Sequence, residues 1–154
     1  MEIRELRAGD GKSLSLLAAS VYDELPESMN LPERPDGPAA DAIIEMKLES
    51  AGRGALFDLV AVEDGEVIGD CEILRRGAEG VVGILVSKDW RRKGVGGTLL
   101  EKCIGKARRA GLSEVTAEVA ESNAPAMAFF RKQGFSIEGA ASEKGTILMR
   151  RSLL

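Results

Sequence analysis

Residues 81–110, VVGILVSKDWRRKGVGGTLLEKCIGKARRA, constrain this chain more than any other stretch. The apolar run Val81, Val82, Ile84, Leu85 and Val86 predicts a buried strand. Val95, Leu99, Leu100, Cys103, Ile104 and Ala107 recur at helical spacing, with Lys102, Lys106, Arg108 and Arg109 on the other side and in the last turn. Between strand and helix lies the turn Arg91, Arg92, Lys93, Gly94, Val95, Gly96, Gly97. The first N–H groups of a helix have no internal acceptor, and three adjacent cations raise the local potential. Gly94, Gly96 and Gly97 would let a ligand approach the backbone. The element therefore reads as an anion site. Its G-x-G-G order is neither the dinucleotide pattern G-x-G-x-x-G nor a P-loop.

The rest of the chain builds a sheet around this element. Residues 2–7 alternate as a first strand, and a helix follows to about Tyr22 with Asp10 in position to cap it. Residues 25–38 hold Pro26, Pro32, Pro35 and Pro38 among acidic side chains, so regular structure is not expected there. A second helix fits Ala39 to Ser50, with Ala40, Ile43, Ile44, Lys47 and Leu48 at helical spacing. Strands 56–63 and 67–74 flank the hairpin turn Asp64-Gly65, and a strand from Gly80 to Val86 continues an antiparallel meander. A strand over 112–119 completes a strand–helix–strand crossover. A short helix over 125–132 and strands over 135–137 and 146–150 close the chain.

Composition excludes several chemistries. There is no histidine, which removes imidazole from catalysis and from metal binding; no metal site is expected. Cys71 and Cys103 sit in apolar patterns and read as buried thiols in a reducing compartment. No apolar run approaches the length of a membrane span, so no membrane partner and a cytoplasmic location are expected. Residues 1–80 carry 8 Lys/Arg against 18 Asp/Glu, and residues 81–154 carry 13 against 7. The basic half suits an anionic cofactor and the acidic half a cationic acceptor. The aromatics form no stacking platform, and nucleic acid is not an expected partner.

The turn resembles the Q/R-x-x-G-x-G/A signature of the GCN5-related N-acetyltransferases, through Arg91-Arg92-Lys93-Gly94-Val95-Gly96. Residues 123–135, NAPAMAFFRKQGF, are similar to that family's later N-x-x-A-x-x-(hydrophobic)-Y-x-x-x-G-F segment. The resemblance is firmest from Gly65 to Phe135. It implies one α/β domain over 1–154: a mixed, mostly antiparallel sheet of six to seven strands flanked by about four helices, with residues 23–38 as a substrate-side loop. It further implies acetyl-CoA as cofactor and a primary amine, on a small molecule or a peptide N-terminus, as acceptor. A homodimer would not be unusual.

The site residues follow by the same resemblance. The pyrophosphate would sit on N–H groups from Arg92 to Gly97, with Arg91, Arg92 and Lys93 beside it. Ile84, Leu85 and Val86 would hold the pantetheine arm and polarise the thioester through their main chain. Asn123 would bond either to the cofactor or to the chain as a helix cap, and Ala126 would allow close approach. Phe130 stands where the family often has a tyrosine that returns a proton to the departing thiolate; Phe130 has none to give, and Tyr22 is the sole tyrosine. Glu118, five residues before Asn123, is the leading base, where some ribosomal-protein-type members keep a glutamate; Asp70 and Glu72 are alternatives. Glu121 and Ser122 lie near the same rim, and Trp90 is expected to pack rather than to line the adenosine side.

Overall fold

The computed structural model describes residues 1–26, 35 and 39–154. Its strands are β1 (Glu2–Glu5), β2 (Leu56–Glu63), β3 (Glu66–Arg76), β4 (Glu79–Val86), β5 (Glu114–Ala120), β6 (Ser136–Ala140) and β7 (Thr146–Ser152). They form one sheet in the order β1-β2-β3-β4-β5-β7-β6. Every neighbouring pair is antiparallel except β4 with β5, which the long helix between them makes parallel. Among the described residues the helices are α1 (Gly11–Glu24), α2 (Ala39–Gly52), α3 (Val95–Arg109) and α4 (Ala124–Lys132). This is the mixed, mostly antiparallel sheet with about four helices that the sequence predicts.

Strand alternation sorts the core into two layers. Leu59 and Ala61 of β2 and Cys71 and Ile73 of β3 face α3 and α4, where Leu99, Leu100, Cys103, Ile104 and Phe130 meet them. Val60 and Val67 point the other way, under Leu14, Leu17, Val21 and Ile44 of α1 and α2, with Leu85 packed alongside. The predicted stripe of α3 is buried along its whole length. Both thiols are free and buried; Cys103 lies 3.5 Å from the Phe57 carbonyl and 3.6 Å from that of Cys71. In the Asp64-Gly65 turn both residues have positive φ, 49° and 76°, as a two-residue hairpin of this type requires.

Two expectations change in detail. Asp10 precedes α1 but does not cap it. Its carboxylate instead takes two guanidinium bonds from Arg4, each 2.8 Å, and the Arg7 N–H at 2.7 Å, fixing the path from β1 into the helix. Helix α1 also runs past Tyr22 to Glu24. The proposed substrate-side loop over 23–38 lies largely outside the described residues. No described helix is long and apolar enough to cross a membrane.

Candidate active site

The central strand of the sheet is incompletely paired. Strands β4 and β5 are in register only at Glu79 with Glu114, Gly80 with Val115 and Val81 with Thr116. Both strands continue, to Val86 and to Ala120, but no longer as partners. Residues 83–86 are only half-buried, although β4 is the middle strand of seven. The Ser87 N–H donates to the Ile68 carbonyl, 2.8 Å away, on the β3 side. Alternation then directs the Val82 C=O, the N–H and C=O of Ile84 and the Val86 N–H into the gap between β4 and β5; the Val82 N–H serves the last pairing with β5, and the main chain of Leu85 turns instead to β3. A main-chain edge thus lies open to an extended ligand in the middle of the sheet.

The glycine turn stands at the end of that gap. Arg92 has φ +60° and Gly94 φ +82°, so the chain reverses through two left-handed residues before α3 begins at Val95. The N–H groups of the first turn of α3 point outward from the helix start. The three glycines serve different needs. A side chain on Gly94 would meet open space, whereas a Cβ on Gly96 would lie 3.2 Å from the Phe129 ring and one on Gly97 3.1 Å from the Gln133 amide. Gly96 is therefore required by the packing of α4 against α3, Gly97 faces only the movable end of Gln133, and Gly94 is required by its backbone angle.

The cations of the turn also differ. Arg91 is committed to protein partners: its Nε donates to the Val86 carbonyl at 3.1 Å, and its terminal nitrogens stand 2.8 and 2.6 Å from the two Glu24 oxygens. The Arg91 guanidinium holds the Glu24 carboxyl below its usual range. Arg92 and Lys93 are exposed. The Lys93 ammonium lies 5.1 Å from the centre of the Trp90 ring, and Trp90 packs against the core as expected.

On the far side of the gap, Asn123 caps α4, its Oδ1 accepting from the Ala126 N–H at 3.2 Å. Of the two readings left open by the sequence, the cap is the one that this geometry displays. Ala126 is half-buried beside the core. Phe130 is a core residue, 5% exposed, with edge-on contacts to Phe129 and Phe135.

The carboxylates gather on the sheet face beneath α1 and α2. Val115, Ala117 and Val119 belong to the α3 layer, so Glu118 points to the opposite face, where it is exposed beside the gap. Glu121 and Ser122 are exposed at the end of β5. In β3, Asp70 and Glu72 share their face with Asp58 of β2, and Lys47 of α2 reaches down to all three. Its Nζ stands 2.9 Å from Asp58, 3.3 Å from Asp70 and 3.0 Å from Glu72. Burial works against the Lys47 charge, but Asp70, Asp58 and Glu72 override it and hold the ammonium above its ordinary range. Burial, reinforced by Asp70, pushes the Asp58 carboxyl up to about 10 despite Lys47.

The fold therefore favours the protonated form of Asp58. Its Oδ1 and the Oδ1 of Asp70 are both buried without a partner among the described residues, which is where a shared proton would sit. These three acids could approach a metal ion, but Lys47 already supplies the cation. In the sequence Lys47 stands only as part of a helical pattern. The available signal was a lysine on the apolar stripe of Ile44 and Leu48 together with acids inside apolar strands, since buried charges need partners.

Comparison with known proteins agrees with this geometry. The acetyltransferase (GNAT) family profile matches residues 18–135, which spans the glycine turn, the parted strands and α4. L-amino acid N-acetyltransferase AaaT of Escherichia coli (strain K12) is 34% identical over 101 residues, covering 60% of this chain and 61% of that protein. The fold is shared with ribosomal-protein-alanine N-acetyltransferase from Brucella melitensis, at TM-score 0.82 and 23% identity over 99% of this chain and 100% of the other. It is shared too with yncA from Salmonella typhimurium, solved with its cofactor acetyl-CoA, at TM-score 0.83 and 20% identity over 100% and 94%. With the parted β4 and β5 leading directly into a glycine turn and helix start, and a profile match over most of its length, the chain belongs to the acetyltransferase (GNAT) family.

Proposed function

We propose that this protein transfers the acetyl group of acetyl-CoA to a primary amine by direct attack while both substrates are bound. The observation that carries this reading is the parting of β4 from β5 after Val81 and Thr116, immediately before the free helix start at Val95. Such a site fits a ligand with an extended amide arm and a pyrophosphate. The Val82 C=O, both main-chain groups of Ile84 and the Val86 N–H would pair with the arm. The N–H groups at the start of α3, with exposed Arg92 and Lys93, would take the phosphates. Arg91 would shape the turn, and Ala126 would leave room beside the arm. Bound there, acetyl-CoA supplies an activated acetyl carbon and a thiolate leaving group. The acceptor would enter from the face of Glu118, because the opposite face is closed by α3 and α4. Glu118 would act as base.

Two of the matched proteins are named for their acceptors, an L-amino acid in one and a ribosomal-protein alanine in the other. An amino acid or a peptide N-terminus is therefore the acceptor class we favour. The reaction would take place in the reducing cytoplasm, where the free thiols of Cys71 and Cys103 persist. One observation favours a second reading, a non-catalytic acyl-CoA-binding module. Phe130 is buried and has no hydroxyl for the leaving sulfur.

Calorimetric titration with acetyl-CoA, free CoA and ATP tests the cofactor site; a Kd of about 1 μM, roughly -8 kcal/mol, with much weaker ATP binding is expected. An amine and peptide panel then separates the readings. Turnover that falls about a hundredfold in Glu118→Gln, with acetyl-CoA binding unchanged, supports the enzyme. Tight binding without turnover across the panel supports the module.

A further inference from the structure

Two carboxylates border the gap on the acceptor face, and the proposed reaction uses only one of them. Two residues beyond the last pair, Val81 with Thr116, Gly83 of β4 and Glu118 of β5 stand on the two sides of the gap. Gly83 is also the β4 partner of Glu72. A Cβ on Gly83 would lie 3.4 Å from the Glu72 Cγ and 3.5 Å from its Oε1. A glycine inside a strand marks a close approach, and here the approaching group is Glu72, folded across β4 toward the gap. Its other oxygen, Oε2, is held by Lys47 at 3.0 Å. One oxygen is thus anchored, and the other lies over Gly83 on the face that Glu118 shares.

The surroundings support that posture. Lys47 also touches Asp58 and Asp70, whose inner oxygens have no described partner other than each other. The β4 residues facing Glu72 and Asp70 are Gly83 and Leu85, which are uncharged.

We propose that Glu72 contacts the acceptor's ammonium from the side opposite Glu118, and that Lys47 is the positioning residue that holds it there. This rests on the transfer reaction proposed above. Glu118 takes one proton of the ammonium and later releases it to solvent. The nitrogen forms its C–N bond to the acetyl carbon as the C–S bond breaks, and its second proton leaves with the sulfur.

The test uses the full chain with L-alaninamide as probe and propionamide, which lacks the ammonium, as control. Carboxyl-carbon NMR of the protein saturated with free coenzyme A should show a saturable shift of Glu72 with L-alaninamide and none with propionamide. In steady state, Glu72→Gln should raise the KM for L-alaninamide roughly tenfold or more while acetyl-CoA binding stays within about twofold. Lys47→Met should raise the same KM, and Lys47→Arg should restore it; should Lys47→Met fail to fold, Glu72→Gln still decides. Turnover of L-alaninamide with an unmoved Glu72 resonance and an unchanged KM in Glu72→Gln overturns this proposal and leaves the transfer reaction standing. A Glu72 shift in protein that never turns over acetyl-CoA supports the amine contact and removes the reaction. Absence of any shift and of any turnover overturns both.

Discussion

Arg91 grips Glu24 through both carboxylate oxygens, at 2.6 and 2.8 Å, and so ties the glycine turn to the last residue of α1. The same guanidinium donates to the Val86 carbonyl at the end of the parted strand. One side chain therefore holds together the gap, the turn and the helix of the opposite layer. Arg91→Met should weaken acetyl-CoA binding by about tenfold, read by calorimetry, because the turn loses its charged hydrogen bonds. Glu24→Gln should give a smaller effect in the same direction. Since Arg91 depresses the Glu24 pKa, this pair stabilises the fold at neutral pH, and its contribution disappears as pH falls through the acidic range. Melting curves of native and Glu24→Gln protein should converge there.

The neighbouring glycines should respond unequally to alanine. Gly96→Ala drives a methyl against the packed Phe129 ring at 3.2 Å and should destabilise by about 1–3 kcal/mol. Gly97→Ala meets only the end of Gln133, which can swing aside, and the helix propensity of alanine returns about 1 kcal/mol, so a near-neutral change is expected. Gly94→Ala meets no atoms but must hold φ +82°, which costs about 1–2 kcal/mol. Urea denaturation of the three variants checks the order.

Asp58→Asn should be tolerated, while Lys47→Met should not. The asparagine amide can replace the proton that Asp58 carries, with a change of about 1 kcal/mol or less. Lys47→Met strands three acids beneath α2 and should remove about 3–5 kcal/mol. The Asp58 pKa is raised in the folded state, so the fold binds more protons than the unfolded chain between the unfolded value of 3.8 and about 10. Native stability should fall with rising pH across that window on account of this group. The stability of Asp58→Asn relative to native should therefore increase with pH in chemical denaturation.

Asn123→Ala removes the cap of α4 and should cost about 1 kcal/mol in stability, read from urea curves. Because α4 carries Phe129 against Gly96, the start of α3 should loosen with it, and acetyl-CoA binding should weaken by a few-fold at most. Asn123→Ser keeps a capping oxygen and should recover most of the stability. A large loss of binding that Asn123→Ser does not recover would instead indicate direct contact between Asn123 and the cofactor.

Local signals were enough for much of the architecture. The helical stripe from Val95 to Ala107, the Asp64-Gly65 hairpin and the strand–helix–strand crossover each rest on neighbours within a few residues, where periodicity and turn chemistry speak directly. The two family-like segments likewise lie where the gap and α4 stand. What those signals did not reveal was partnership across the chain. Arg91 read as a phosphate neighbour, yet its guanidinium engages Glu24, distant in sequence; Asp10 read as a cap, yet it serves Arg4 and Arg7. A charge advertises only that it needs a partner, and which partner depends on where the sheet brings it.

By itself, then, the sequence determined the elements, their order and the basic glycine turn between strand and helix, because each depends on residue type and local spacing. Tertiary structure alone decided where β4 and β5 part, which glycines yield to packing rather than to ligand, and that Lys47 unites Asp58, Asp70 and Glu72. Those features arise from register between distant strands and from helices laid across them, and a linear pattern carries no record of either.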